Sequence, residues 1–337
     1  MDTQATQTHH WPVWGHDWAV AHLRKSIGHA RVRHAYLFAG AESVGKTTLA
    51  RAFAMTLNCT HPDEAVRPCG ACRSCRKTTS GNHPDLLLPH TDPSGSSSLK
   101  IEAVREIAGQ IALKPFEARY RIALFDHFER AQPRAQDALL KTLEEPPPHA
   151  LLFLLTPSSE PILPTIISRS QVIHLRPVAV ETITALLLER GADADTAALL
   201  AHLSAGRPGW ALRALAEPDM LARRSEALAV LEQLLAANHI GRFKAAEDLS
   251  RDKAALISLL ELWQTYWRDL VLLTTGSGLT VSNLDRADQL EQLAERVSEE
   301  EALAALRATQ QLLRLLNTNA NVRLALEVLM LDYPGLA

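Results

Sequence analysis

The amino-acid sequence predicts an α/β nucleotide-binding domain on a parallel sheet, a small helical lid, and an all-helical C-terminal domain. Three observations carry this. Residues 40–47 read Gly-Ala-Glu-Ser-Val-Gly-Lys-Thr, a full phosphate-loop motif between an apolar run and a helical stretch. Short apolar runs alternate with helical patterns up to about residue 175, as in a parallel sheet covered by helices. Beyond Arg176 the strand signal fades, and from about 219 every pattern is helical.

In chain order, residues 1–10 are polar and read as a disordered tail. They lack an apolar leader, and no run reaches membrane-spanning length, so a cytoplasmic chain with no membrane partner is expected. Trp18–Ile27 has helical spacing through Trp18, Val20, Leu23 and Ile27. Ala35–Ala39 reads as a buried strand, Thr47–Leu57 as a helix, Asp85–Leu88 as a short strand, and Pro93–Ser98 as a flexible loop. Ile101, Val104, Ile107, Ala108 and Ile111 mark a helix. Arg121–Asp126 is a strand ending in an acid, Ala135–Leu143 a helix stopped by Pro146-Pro147-Pro148, and Leu151–Thr156 another strand. Short helices fill 176–218. Farther on, Leu256, Leu260, Trp263, Trp267 and Leu270 share one face, as do Val322, Leu326 and Leu329; these tryptophans read as core. The expected boundaries are 1–10 tail, 11–175 nucleotide domain, 176–218 lid and 219–337 helical domain.

The chain has 337 residues, 47% hydrophobic and 22% charged, with a formal net charge of −3. That charge argues against a protein that mainly coats nucleic acid, and 5% aromatic content against a base-stacking surface.

The phosphate-loop residues each have a chemical reason. Gly40 and Gly45 let backbone amides curl around phosphates, Lys46 reaches the terminal phosphates, and Thr47, with Thr48 beside it, opens the helix and offers a hydroxyl to Mg²⁺. Ile122–Asp126 resembles the strand whose terminal acid holds Mg²⁺ through water. The next position, usually a Glu that orients the attacking water, is His127, with Glu129 two residues on. Thr156 is placed like a polar sensor near the γ-phosphate, or is an ordinary strand-end Thr. Arg169, after Pro161 and Pro164, is placed to reach a neighbouring subunit's nucleotide as an arginine finger, worth about 10³–10⁵ in rate where it operates; a lone surface Arg is the plainer reading.

Cys59, Cys69, Cys72 and Cys75 are the four cysteines, all in one short segment. Two overlapping C-x2-C knuckles and a fourth thiolate match the ligand count of a closed, structural tetrahedral Zn²⁺ site, and Gly70 supplies the turn between them. Two disulfides are the competing reading, though nothing suggests an oxidising compartment.

Several stretches together resemble the clamp-loader family of bacterial DNA polymerase III, in its delta-prime branch. They are His34–Phe38 ahead of the phosphate loop, the cysteine segment after its helix, Asp137–Pro147 with Leu-Leu-Lys-Thr-Leu-Glu-Glu-Pro-Pro, Leu163–Ser170 with Ser170 where the family has Cys, and Asn321–Glu327. The resemblance runs from about residue 12 to 333. It implies an AAA+ fold with lid and collar domains, assembled with gamma/tau motor subunits and delta into a five-membered ring. That ring uses ATP to open the sliding clamp and place it on primed DNA. It further implies that this chain is the rigid member supplying Arg169 in trans. Many delta-prime relatives have a damaged phosphate loop; here it is intact, so ATP or ADP binding is expected. His127, and Gly209 where the motors carry a second sensor Arg (Arg207 is a displaced candidate), imply binding without efficient turnover. The other readings are a gamma/tau-type motor, an unrelated AAA+ remodelling ATPase, and a zinc-dependent nucleic-acid binder.

Overall fold

The structure is a computed structural model that describes residues 11–89, 99–316 and 320–335. The expected tail at 1–10 and the Pro93–Ser98 loop lie outside the described residues. The chain divides into two compact units. One runs to Thr182 and takes back Gly206–Gly209; the other holds Ile183–Ala205 and Trp210 onward.

In the first unit the elements are α1 (Asp17–Gly28), β1 (Ala35–Ala39), α2 (Lys46–Asn58), α3 (Arg73–Thr79), β2 (Leu86–Leu87), α4 (Ile101–Ile111), β3 (Arg121–Phe125), α5 (Pro133–Asp137), α6 (Leu140–Glu144), β4 (Ala150–Thr156), α7 (Pro164–Ile167) and β5 (Gln171–His174). All strand pairings are parallel, in the order β2-β3-β4-β1-β5. Both faces are covered, so β1 is buried at every position and reads as a continuous apolar run. Its alternate residues divide between two cores: Tyr36 and Phe38 pack with Phe53 and Phe153, while Ala35 and Leu37 pack with Val104, Ile107 and Phe125. Phe53 and Phe153 stack at 5.2 Å, with Tyr36 edge-on to both.

Four local details differ from the sequence expectation. Trp18 is 50% exposed; α1 buries Ala19, Val20 and Leu23, because positions 18 and 20 cannot share one face of a helix. β2 is only two residues long. The helix expected at 135–143 is broken into α5 and α6 by an i→i+3 turn, Leu139 N to Gln136 O. There the Gln136 amide is drawn away to the carbonyls of Ala131 and Pro161, each 2.9 Å. Finally β5 was not expected, since its four residues are polar at both ends.

The second unit continues with helices only among its described residues. α8 (Val180–Glu189) enters it, followed by α9 (Ala194–Leu203), α10 (Pro208–Ala216), α11 (Asp219–Ala236), α12 (His239–Leu249), α13 (Lys253–Thr274), α14 (Ala287–Ala294), α15 (Glu299–Leu316) and α16 (Val322–Asp332). Trp263 and Trp267 are fully buried core residues, as their stripe implied. Arg242, also buried, spends all five N–H groups on backbone carbonyls. Nε donates to Leu234, Nη1 to Met330 and Tyr333, and Nη2 to Leu235 and Pro334. These carbonyls close the C-terminal ends of α11 and α16, where helical oxygens lack intrahelical donors and the dipole favours a cation. No helix among the described residues is long and apolar enough to cross a membrane.

Candidate functional site

Three neighbouring strands end together at one edge of the sheet. The register pairs Ala39 with Thr156 and Phe125 with Leu154, so the phosphate loop after β1, Thr156 ending β4 and Asp126 after β3 lie side by side. The C-terminal edge of a parallel sheet is where ligands bind in such folds. Gly40 donates its amide to Thr156 O at 3.1 Å, and a Cβ on it would lie 2.4 Å from Leu175 O; only glycine fits. Gly45 has φ +114° and starts α2, whose first amides face the site. Lys46 is buried, with its ammonium 2.7 Å from Gly40 O and 3.0 Å from Ala41 O. Burial lowers its pKa, while Glu42, Asp126 and Glu129 pull the other way. Thr47 Oγ1 donates to Asp126 Oδ2 at 3.2 Å, which brings the expected Mg²⁺ residues together. Thr48 is exposed in the same turn.

His127 follows with φ +52°, its amide on Asp126 Oδ1 at 3.0 Å. Its ring Nδ1 lies 3.3 Å from Glu129 Oε1 and 3.6 Å from Glu42 Oε1. The bond to Glu129 raises the imidazole pKa. Thr156 is buried and its hydroxyl donates to Ser158 O at 2.5 Å, so that proton is committed within the same turn.

Two braces on the loop carbonyls were missed in the sequence. His16 Nε2 sits 2.9 Å from Val44 O, so that nitrogen carries the proton, and burial keeps the imidazole neutral. Gly209 N donates to Ser43 O at 2.9 Å, and a Cβ on Gly209 would itself lie 2.9 Å from that oxygen. A Gly-His pair before a helix and a Gly-x-x-Gly turn were the only signals for them.

The structure does not bring Arg169 to this edge. It precedes β5 and so stands at the opposite end of the sheet. There Nη2 bonds Glu144 Oε1 at 3.0 Å and Nη1 bonds Thr165 O at 3.1 Å.

The four cysteines are free thiols whose sulfurs all lie within 4.8 Å of one another. Cys59 and Cys72 are 4.0 Å apart, far beyond a disulfide and near the roughly 3.8 Å that tetrahedral thiolates around one zinc require. Burial opposes ionisation of Cys72, but the amides of Cys75 and Thr60 bring its pKa down to about 6; burial pushes Cys75 up. The donor set fits one tetrahedral metal ion.

Comparison with known proteins gives the family. The family model described as DNA polymerase III, delta subunit, matches residues 15–179, and the model for the C-terminal part of that subunit matches 218–334. The tau/gamma subunit of DNA polymerase III from Haemophilus influenzae is 37% identical over 164 residues, 49% of this chain and 23% of that protein. The delta' subunit from Bacillus subtilis is 33% identical over 182 residues, 54% of each chain. The chain thus spans about half of the delta' relative and less of the other. A gamma-subunit-related protein from Thermotoga maritima has 18% identity and a TM-score of 0.38, covering 93% of this chain and 97% of that one. With two models of that subunit in order along it, the first over a parallel phosphate-loop sheet and the second over an all-helical region, the chain belongs to the DNA polymerase III clamp-loader family.

Proposed function

We propose that the chain is the delta-prime type of clamp-loader subunit, holding ATP or ADP without efficient hydrolysis and lending Arg169 to a neighbouring motor. It would join gamma/tau and delta in a five-membered ring that places the sliding clamp on primed DNA. The observation that carries this reading is Gly209. In the resemblance, the motors have an Arg there to sense the nucleotide, whereas this glycine presses its backbone onto Ser43 of the loop. His127 in place of the water-orienting Glu supports the same reading, since its Nδ1 is engaged by Glu129.

The loop's residues fit a magnesium nucleotide. Bound, it supplies phosphate oxygens for the α2 amides and Lys46, and a cation for Thr47 and Asp126. Lys46 must then leave the carbonyls of Gly40 and Ala41. Arg169, at the far edge of the sheet, would act on another subunit. The lid spans 176–218, the collar 219–337, and the cysteines hold a structural Zn²⁺.

Size-exclusion mixing with gamma/tau and delta tests the assembly, and turnover of the chain alone tests the chemistry. Entry into the ring with negligible isolated ATPase is expected. Isolated ATPase abolished by Lys46→Ala would favour the gamma/tau-type motor instead, and failure to enter the ring would favour an unrelated AAA+ ATPase.

A further inference from the structure

The cysteine segment has no core of its own. Between Cys59 and Thr79 the buried residues are Cys59, Pro68, Ser74, Cys75 and Thr78, and none carries a large apolar side chain. α3 has only seven residues, too few to hold as a helix by themselves in water. Its first turn is closed by Cys72 Sγ, which accepts the Cys75 amide at 3.4 Å. One tetrahedral ion on the four sulfurs would tie this helix to Cys59, the residue that ends α2, and would supply the ordering that so little apolar burial cannot.

From α3 two routes lead to the 113–119 segment, which joins α4 to β3. The first is buried. Ser74 Oγ lies 3.1 Å from His83 Nε2, and His83 Nδ1 accepts the Asp85 amide at 3.1 Å. Since Nδ1 accepts, Nε2 carries the proton and donates to Ser74. Asp85, fully buried, in turn accepts three consecutive amides, Phe116 N at 2.7 Å and Glu117 N and Ala118 N at 2.9 Å each. The second route runs over the surface, from Lys77 and Arg73 to Glu117 at 2.5 and 3.8 Å. Ion pairs at the surface contribute little, so the buried route carries the coupling. Were α3 to loosen, the buried His83 N–H would lose its acceptor, which costs more than the bond supplies while made. The ring would then turn toward water and release the Asp85 amide, unsettling the carboxylate that holds residues 116–118.

We propose that the cysteine module is a metal-operated latch on this segment. With an ion bound, α3 stays docked and residues 116–118 are held; with the ion removed, α3 loosens and they are freed. The inference rests on reading the four cysteines as a zinc site.

Hydrogen exchange of the full-length chain tests it, followed in peptides covering 113–119 and, as a control, Ala150–Thr156 of β4. Exchange is compared in protein as purified, after a zinc chelator, and after Zn²⁺ alone is returned, with metal content measured each time. Chelation is expected to speed exchange at 116–118 about tenfold or more, the scale of a buried hydrogen bond left unmade, while β4 keeps its rate. Returned Zn²⁺ should reverse the change. Ser74→Ala should keep its zinc yet exchange fast at 116–118 with the ion bound. The latch is overturned if zinc leaves the parent chain and exchange at 116–118 changes by less than about twofold, or if zinc-loaded Ser74→Ala matches the parent. Equal acceleration in β4 would also overturn it, since the metal would then be holding the whole sheet. A parent chain that neither carries nor takes up zinc would sink the zinc reading itself, and the latch with it.

Discussion

Thr47 Oγ1 and Asp126 Oδ2 share a 3.2 Å hydrogen bond, joining the end of the phosphate loop to the strand two places away in the sheet. A hydroxyl and a carboxylate so placed are ready to receive a hard cation through oxygen ligands. Asp126→Asn should therefore weaken nucleotide binding about tenfold in Mg²⁺, near 1.4 kcal/mol. In excess chelator, parent and variant should bind alike by calorimetry; an equal loss in both conditions would place Asp126 outside cation binding.

The cysteine sulfurs already stand at metal-ligand spacing. Purified chain should carry about one zinc by elemental analysis, and Cys72→Ser should remove it. The variant should melt earlier yet retain its nucleotide affinity, because none of the four cysteines belongs to the phosphate loop. Metal-free parent protein of unchanged stability would refute the assignment.

Glu144 holds Arg169 at 3.0 Å at the edge opposite the phosphate loop. Arg169→Ala should leave ring assembly intact while lowering clamp-stimulated ATPase of the whole complex by at least tenfold. Glu144→Ala, which removes the carboxylate contact but leaves the bond to Thr165 O, should change that rate far less. Equal turnover in the Arg169 variant and the parent would remove it from the mechanism.

Asp85 tests how firmly the 113–119 segment is held. Burial would raise its pKa, but the amides of Glu117, Phe116 and Ala118 outweigh it and hold the carboxyl below the usual 3.8. A depressed carboxyl stabilises the fold above its unfolded pKa and loses that contribution as pH falls through the folded value. Asp85→Asn should cost about 2 kcal/mol or more near neutrality. The gap to the parent should narrow only below about pH 4 in denaturant titrations; a gap that persists unchanged at lower pH would mean packing, not charge, is responsible.

Arg242→Lys keeps the charge but has too few donors, and the wrong geometry, for five carbonyls. We expect a loss of about 3 kcal/mol or more in the helical unit, read by urea unfolding. A loss below about 1 kcal/mol would mean that water substitutes for the guanidinium.

How much of this was legible in the sequence depended on whether the chemistry is local. The phosphate loop and the cysteines crowd their groups into short segments, and the structure keeps each group together. Trp263 and Trp267 were readable as core because their helix is long and strongly periodic. By contrast, His16 on Val44, Gly209 on Ser43 and Asp85 under Phe116 join segments far apart in the chain, and nothing in either segment announces the other. The short β5 was hidden because two of its four residues are polar, although pairing with β1 makes it a strand. The helix expected at 135–143 failed at Gln136, whose side chain is caught by the Pro161–Leu163 turn.

The 2.9 Å clearance at Gly209 also limits redesign. Installing a guanidinium there, even with a carboxylate at position 127, would drive the new side chain's first carbon into the Ser43 carbonyl. A side chain at this position is therefore accommodated only if the Gly209 backbone or the Ser43 carbonyl of the phosphate loop gives way.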